Sequence, residues 1–309
     1  MINDKEVHFA FFGSSRLSVI VLNELLKFDL KPSLIITTPD KPQGRKLEIK
    51  PNAVKEWAIS HNVHVLDPIK LNSTFIEQLK HESNKNAQDL FIVASYGKII
   101  PEEVIKIPKH KTLNIHPSLL PEYRGASPLP TAILEDKKNT GITIMRIDSE
   151  MDHGPIVAQK KIEILRWPTY EEFEEMMAIT GAHILAEILP DWIKGKLMPI
   201  EQNHAKATYT KKMTKEDGWI DLSVSDLQHP ENIPTNRAYE IFRKIQAYHE
   251  WPQAYFFIER NRQPKQSNTK IRIKITDASF EDNKLTINKV IPEGKNEMPY
   301  EDFLRGYLK

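Results

Sequence analysis

The residues best suited to chemistry lie in the stretch 113–125, where a short apolar run opens into a loop that contains two prolines and a glycine. Asn114 and His116 stand two positions apart at the end of the apolar run. Side chains on a strand alternate between its two faces, so a strand here points both side chains the same way, about 7 Å apart. The spacing therefore predicts one cavity that contains an amide donor and an imidazole.

An acidic turn follows the next β-rich run, at 148–155, and it can bring Asp152 beside this pair. Asn, His and Asp side chains in one cavity suit acyl transfer, because an amide can stabilise an oxyanion and a carboxylate can assist proton transfer. Taken alone, Asp152 is equally typical of a turn before Gly154. A metal site built from His116, Asp152 and His153 is not expected, since adjacent residues point apart and the spacing matches no ligand motif.

The elements that must position these residues follow an alternating pattern of strands and helices. An apolar run that ends at Gly13 is followed by a helix-like segment and a second apolar run at 34–36, and the pattern repeats to Ala94. Such an order predicts a doubly wound α/β domain with a mainly parallel sheet. Its ligand site is expected beyond the carboxyl ends of the strands, near Ala94 and His116.

Nucleotide cofactors are not expected in this domain. Gly13 stands alone, without the Gly-x-Gly-x-x-Gly pattern that lets a backbone approach a pyrophosphate, and no phosphate-binding Gly-x-x-x-x-Gly-Lys-Ser/Thr loop occurs. An already activated donor is therefore the more plausible source of the transferred group.

Composition limits where a nucleic acid could bind. The 309 residues contain 43 Lys and Arg against 42 Asp and Glu, so any basic surface must be local. One local cluster follows the aromatic run 255–257 and comprises Arg260, Arg262, Lys265, Lys270, Arg272 and Lys274. A solvated hairpin face and a phosphate-binding face explain this cluster equally well.

The chain has no cysteine, no charged-then-apolar leader pattern and no long apolar stretch. These features predict a cytoplasmic protein without disulfides or membrane association.

The chain is expected to contain two domains joined by a linker. The segment 1–194 forms the α/β domain and ends in a long helix at 170–193. Residues 195–213 lack periodicity and contain several lysines, which is typical of a linker. Residues 214–309 contain short β-like runs separated by polar turns, a pattern that suggests a small β-barrel.

Several motifs together resemble the folate-dependent formyltransferases, and within them the methionyl-tRNA formyltransferase family. They are the Asn-x-His-x-Ser-Leu-Leu-Pro segment at 114–121, the Arg-Gly at 124–125, the acidic turn ending in Asp152, Phe11-Phe12-Gly13, the Pro-rich loop 38–45, Ser95-Tyr96-Gly97 and Trp251-Pro252. The match runs nearly from end to end of the chain.

The resemblance implies transfer of a formyl group from 10-formyltetrahydrofolate to the free amino group of methionyl-initiator tRNA. It implies that Asn114, His116 and Asp152 are catalytic. The folate donor is expected to contact Ser118, Leu119, Leu120 and Pro121, with its pterin near Ser95, Tyr96 and Gly97. The resemblance also implies an OB-like barrel at the C-terminus and an Arg45 loop that wedges against the tRNA acceptor end. Further tRNA contacts are expected from Lys41, Lys211 and Lys212, and from Arg262 and Arg272 of the basic cluster. We expect no metal and a monomeric enzyme.

Three other functions remain open from the sequence. A sugar N-formyltransferase would use the same catalytic core with another acceptor, and a formyltetrahydrofolate hydrolase would pass the formyl group to water. A tRNA-binding protein without enzyme activity would leave Asn114 and His116 without a task.

Overall fold

The computed structural model describes residues 7–43, 48–85, 88–260 and 269–308. The chain divides into two compact units. The first comprises Met1–Pro128, Asn139–Ile164 and Glu174–Thr210, and the second comprises Leu129–Lys138, Leu165–Phe173 and Lys211–Lys309.

The strands of the described residues are, in chain order, β1 (Phe9–Phe12), β2 (Leu34–Ile36), β3 (Lys41–Gln43), β4 (Glu48–Lys50), β5 (His64–Leu66), β6 (Leu90–Val93), β7 (Thr112–His116), β8 (Arg124–Gly125), β9 (Asn139–Arg146), β10 (Ile156–Glu163), β11 (Tyr209–Thr210), β12 (Ala254–Arg260), β13 (Thr269–Glu281), β14 (Lys284–Pro292) and β15 (Met298–Pro299). The α-helices are α1 (Arg16–Leu26), α2 (Ala53–Ser60), α3 (Ser73–Lys85), α4 (Glu102–Ile105), α5 (Pro128–Leu134), α6 (Tyr170–Ile193), α7 (Val224–Gln228), α8 (Thr235–Ala247) and α9 (Tyr300–Tyr307).

A seven-stranded sheet in the order β10-β9-β7-β6-β1-β2-β5 forms the centre of the first unit. Strands β7, β6, β1, β2 and β5 run parallel to one another, whereas β9 runs antiparallel to β7 and β10 antiparallel to β9. The predicted doubly wound, mainly parallel sheet is therefore confirmed. The chain leaves β1 toward β2 on one side and adds β6 on the other, so the carboxyl ends of β1 and β6 form the switch point at which such sheets bind ligands.

Residues at the start of α1 form hydrogen bonds to the backbone at this switch point. Ser15 caps the helix in a capping box with Ser18. The buried Ser18 hydroxyl also donates to the carbonyl of Ala94, at 2.7 Å, just beyond β6. The Ser14 hydroxyl donates to the carbonyls of Ser95 and Tyr96, at 3.2 and 3.1 Å. The carboxyl end of β6 is thus held against the end of β1.

An antiparallel sheet in the order β12-β13-β14-β15 forms the second unit, with α8 and α9 packed against it. On β12, Ala254, Phe256 and Ile258 enter the core from one face, while on the other face Tyr255 is buried and Phe257 is exposed. The expected C-terminal β domain is present. Its described strands form an open four-stranded sheet with β12 and β15 at the edges.

No helix within the described part of the chain is both long enough and apolar enough to cross a membrane.

Asp136 is a polar hub inside the second unit. Its Oδ1 accepts hydrogen bonds from the Trp167 indole at 2.7 Å and the Tyr239 hydroxyl at 2.9 Å, and Lys138 Nζ lies 3.3 Å away. Burial alone would raise the pKa of Asp136, but the donors from Trp167 and Tyr239 outweigh it and leave the pKa below its usual range. Burial, with the Asp136 contact as a smaller cause, raises the pKa of Tyr239 to about 12.

Replacing Asp136 by Asn should therefore destabilise the protein in a pH-dependent way. Asn keeps the shape and tolerates the left-handed backbone at this position (φ +54°) but loses the charge. We expect a loss of about 1–2 kcal/mol in the free energy of unfolding at pH 7. A folded-state pKa below the unfolded one stabilises above the unfolded pKa of about 3.9, so the difference from wild type should shrink as the pH falls below about 4.

Urea unfolding at pH 7 and pH 3 measures this difference. Asp282→Asn is the matched control, because Asp282 is also left-handed (φ +49°) but exposed. Its effect should stay within about 0.5 kcal/mol at both pH values. Equal effects of the two substitutions would contradict the assignment of Asp136 as a hub.

Candidate active site

The carboxyl end of β7 presents the two side chains singled out from the sequence. Asn114 and His116 lie on one face of the strand, while Leu113 and Ile115 are buried on the other. Ile115 packs against α6, where a Cβ added to Gly181 would come within 2.5 Å of its side chain. A side chain at position 181 would push β7 away from α6, so the glycine allows the strand and the helix to pack closely.

His116 is almost fully buried, and both of its ring nitrogens face oxygen atoms. Nε2 lies 3.0 Å from the carbonyl oxygen of Tyr123, and Nδ1 lies 3.6 Å from Oδ1 of Asp152. A carbonyl oxygen can only accept, so Nε2 donates its hydrogen to Tyr123. The nitrogen that faces the acidic turn is therefore Nδ1.

Asp152 is held by the loop that follows β7. Its Oδ2 accepts a 2.7 Å hydrogen bond from the backbone amide of Gly125, which leaves Oδ1 directed at His116. The Asp152 backbone is left-handed (φ +49°), a conformation that Asp tolerates better than most residues. The structure thus brings His116 and Asp152 together at the end of the sheet, as the sequence led us to expect.

Asn114 is half-buried and has no side-chain hydrogen bond to any described residue. It stands next to Val93 of β6 and Met145 of β9 in the sheet register. An unengaged amide two residues from a histidine–carboxylate pair is able to donate to an oxygen that gains charge during a reaction.

The loop 118–121 is hydrogen-bonded to strand β9 of the sheet. The Ser118 hydroxyl donates to the carbonyl of Glu122 at 2.7 Å, so it is engaged within the loop. Thr143 on β9 donates to the Ser118 carbonyl at 2.6 Å and accepts from the Leu120 amide at 3.2 Å. Ser118 and Leu120 are buried, whereas Leu119 and Pro121 are half-buried. The contact of all four with a donor molecule stays a prediction.

The corner 95–97 lies at the switch point and is left-handed at both Ser95 (φ +52°) and Gly97 (φ +76°). Both residues are exposed, and a Cβ at Gly97 would meet no atom within 4 Å. The Tyr96 ring instead enters the core, edge-on to Phe12 at 5.5 Å, and burial raises the pKa of its phenol. This corner therefore offers backbone and open space, rather than an aromatic ring, to a ligand.

The residues expected to contact tRNA are distributed over both units. Arg45 and Arg262 lie outside the described residues. Lys41 is exposed on the β3–β4 hairpin. The pKa of Lys98 is lowered, chiefly by the burial of Lys98 itself and secondarily by the nearby charge of Lys41.

In the second unit, Lys211 forms a 2.7 Å ion pair with Asp217. Lys212 is exposed. The Arg272 guanidinium lies over the Tyr255 ring, 5.5 Å from its centroid.

Two parts of the site were not predicted from the sequence. The Gly125 amide that binds Asp152 belongs to the Arg-Gly motif, but a backbone donor has no residue-type signature. Gln202, which binds the backbone of the acidic turn, stands in the segment that looked like a linker. Within the described residues, no group of three or more His, Asp or Glu side chains could hold a metal ion.

Thr143→Val should loosen the loop that carries Ser118 and Leu120. Valine has nearly the same shape but leaves the Ser118 carbonyl and the Leu120 amide without their partner. We expect a loss of about 2–3 kcal/mol in the free energy of unfolding, measured in urea. Thr140→Val is the matched control, since Thr140 is buried on the same strand without a side-chain hydrogen bond to a described residue. A similar loss for both variants would contradict the role assigned to Thr143.

Comparisons with known proteins identify the family of the chain. A family model described as "Formyl transferase" matches residues 7–189. A methionyl-tRNA formyltransferase of Sulfurihydrogenibium sp. (strain YO3AOP1) is 41% identical over 79% of this chain and 74% of its own length. That of Geobacillus sp. (strain WCH70) is 32% identical over 96% of this chain and 93% of its own length.

Among solved structures, HypX from Aquifex aeolicus in complex with tetrahydrofolic acid has a similar fold. It superimposes with a TM-score of 0.62 at 17% sequence identity and covers 97% of this chain and 47% of its own.

Proposed function

Since the chain belongs to the formyl transferase family, we propose that it transfers the formyl group of 10-formyltetrahydrofolate to the free amino group of methionyl-initiator tRNA. One observation carries the proposal. The carboxylate of Asp152 faces His116 next to an unengaged Asn114 amide, at the ligand-binding end of the sheet. Relatives that bear the name methionyl-tRNA formyltransferase match nearly the whole chain, the C-terminal unit included.

The acceptor needs little activation. A free α-amino group has a pKa of about 7.7–8.0, and an adjacent ester lowers it further, so much of the amine is neutral near pH 7. The costly event is the negative charge that develops on the formyl oxygen when the amine nitrogen attacks the formyl carbon. Asn114 can donate its amide to that oxygen, an interaction typically worth about 10²–10³-fold in rate.

Asp152 and His116 carry out the proton transfers of this reaction. The attack forms a carbon–nitrogen bond and leaves an extra proton on the amine, which the Asp152 carboxylate takes directly or through one water. Breaking the bond between the formyl carbon and the folate nitrogen releases that nitrogen, which needs a proton in turn. The His116–Asp152 pair can return it, a general acid–base contribution of about 10²–10⁴-fold.

The corner 95–97 and the loop 118–121 flank this pair and are the surfaces we assign to the folate donor. Open space beside Gly97 would accept a flat ring, and the bonds from Thr143 keep the loop 118–121 in one position. A protein of similar fold, HypX from Aquifex aeolicus, was solved with tetrahydrofolic acid, which supports this assignment.

We assign the tRNA contacts to basic residues of both units. Lys41 is the first residue of β3 and Arg45 follows it four positions later in the sequence, while Lys211, Lys212, Arg262 and Arg272 come from the C-terminal segment 211–309. Arg272 and the exposed Phe257 are cross-strand partners on the outer face of β12–β13, a combination of cation and aromatic ring that suits nucleic acids. A substrate used in translation initiation implies an enzyme of the cytoplasm, and we propose that it acts as a monomer.

Asp152→Asn should lower kcat by about 10²–10⁴-fold while the KM values for the folate donor and for methionyl-tRNA change less than about threefold. Asn keeps the hydrogen bond from Gly125 but cannot take a proton. His116→Ala should act in the same direction. Steady-state formylation of charged initiator tRNA measures these constants.

Asp148→Asn is the matched control from the same acidic turn, because Asp148 pairs with His153 rather than His116. It should keep kcat within about threefold. If Asp152→Asn weakens folate binding as much as it lowers turnover, the carboxylate has a structural role and the proposed mechanism is wrong.

A further inference from the structure

The inference concerns Gln202, a residue of the first unit that binds the backbone of the acidic turn. We propose that Gln202 is a positioning residue: it holds the backbone of Asp152 so that the carboxylate meets both the Gly125 amide and His116. This inference rests on the proposed function, because it assumes that Asp152 moves the amine proton.

Gln202 is only 4% exposed, and both ends of its side chain are engaged. Nε2 donates to the carbonyl of Asp152 at 2.9 Å and to that of Gly154 at 2.7 Å. Oε1 accepts from the Arg124 guanidinium, through Nη2 at 2.7 Å and Nε at 3.2 Å. A flipped amide would face two carbonyl oxygens with an oxygen and a guanidinium with an NH₂ group, so these partners fix its orientation.

Arg124 is 2% exposed, one of the most completely buried large side chains of the described chain. Its Nη2 also lies 2.8 Å from His204 Nδ1, and Nη1 lies 3.4 Å from the Tyr209 hydroxyl. The partners of the guanidinium are an amide oxygen, a ring nitrogen and a hydroxyl, and no described carboxylate pairs with it. A buried cation held by an amide oxygen strongly favours one arrangement of that amide.

The contacts close a ring. Arg124 binds Gln202, Gln202 binds the Asp152 carbonyl, and the Asp152 carboxylate binds the amide of Gly125, the residue joined covalently to Arg124. Residues at and just before β11 support the ring, since the Thr208 carbonyl accepts from the Arg124 amide and the Thr210 hydroxyl donates to the Arg124 carbonyl. The left-handed backbone of Asp152 (φ +49°) is a sparsely populated conformation that persists where surrounding contacts hold it.

Removing the Gln202 donor should therefore lower catalysis through Asp152 and leave the binding surfaces in place. Gln202→Glu is the sharpest variant. A glutamate still accepts from Arg124 and pairs with its charge, but it presents an oxygen to the carbonyls of Asp152 and Gly154. We expect kcat to fall about 10- to 100-fold, the usual effect of displacing a reacting group by about 1 Å, with both KM values within about threefold.

A double-mutant cycle tests the route of this effect. Single-turnover transfer of a radiolabelled formyl group to methionyl-tRNA is measured for wild type, Gln202→Glu, Asp152→Asn and the double variant. If Gln202 acts through Asp152, Gln202→Glu should cost less than about threefold in the Asp152→Asn background. The same 10- to 100-fold loss in both backgrounds would overturn the proposal.

Gln88→Glu is the matched control for replacing a buried glutamine. Gln88 is 5% exposed and hydrogen-bonded at both ends, to Ser83 and Ser33, just before the amino end of β6. It should change kcat less than about threefold and show no coupling to Asp152. Gln202→Met, which is neutral and similar in length, replaces Gln202→Glu in the cycle if the glutamate variant does not fold.

The outcomes separate this inference from the proposed function. A wild-type protein that does not formylate methionyl-tRNA refutes the function itself. An active wild type with additive effects, or a Gln202 variant whose loss lies in KM rather than kcat, refutes only the positioning role.

Discussion

The hydrogen bond from the Gly125 amide to the Asp152 carboxylate is the contact on which the site depends. It joins two loops that leave different strands, β7 and β9, and it leaves one carboxylate oxygen free to face His116. Because the Gly125 amide holds one carboxylate oxygen, the position of the other oxygen, which faces His116, is fixed as well. Strands β7 and β9 are adjacent and antiparallel, so the two loops start at opposite ends of this strand pair, and the hydrogen bond joins them.

The rest of the first unit keeps this contact in place by satisfying polar groups behind it. Thr143 fastens the loop 118–121, and Gln202 with Arg124 fastens the acidic turn. Buried polar groups are costly when unpaired, so such networks tolerate few alternative arrangements. The amide of Asn114 has no such bond among the described residues, as expected of a group that binds a substrate only during reaction.

The sequence predicted the sheet, α6 and the shared face of Asn114 and His116, because all three follow from the periodicity of apolar residues. It could not predict the ring through Gln202, since the segment 195–210 has no periodic pattern and its contacts are distant in sequence. It also did not show that the Tyr96 ring enters the core, because an aromatic residue after a strand suits either side of a sheet. The roles of Arg45 and Arg262 still rest on the sequence alone.

The most direct test of the account is a competition between acceptors. The wild-type protein is supplied with 10-formyltetrahydrofolate carrying a labelled formyl group, together with methionyl-initiator tRNA and a nucleotide-linked amino sugar in water. The account predicts that the label appears on the methionine amino group, with little on the sugar and little as free formate. Label that accumulates on the amino sugar, or as formate while methionyl-tRNA stays unmodified, would contradict it.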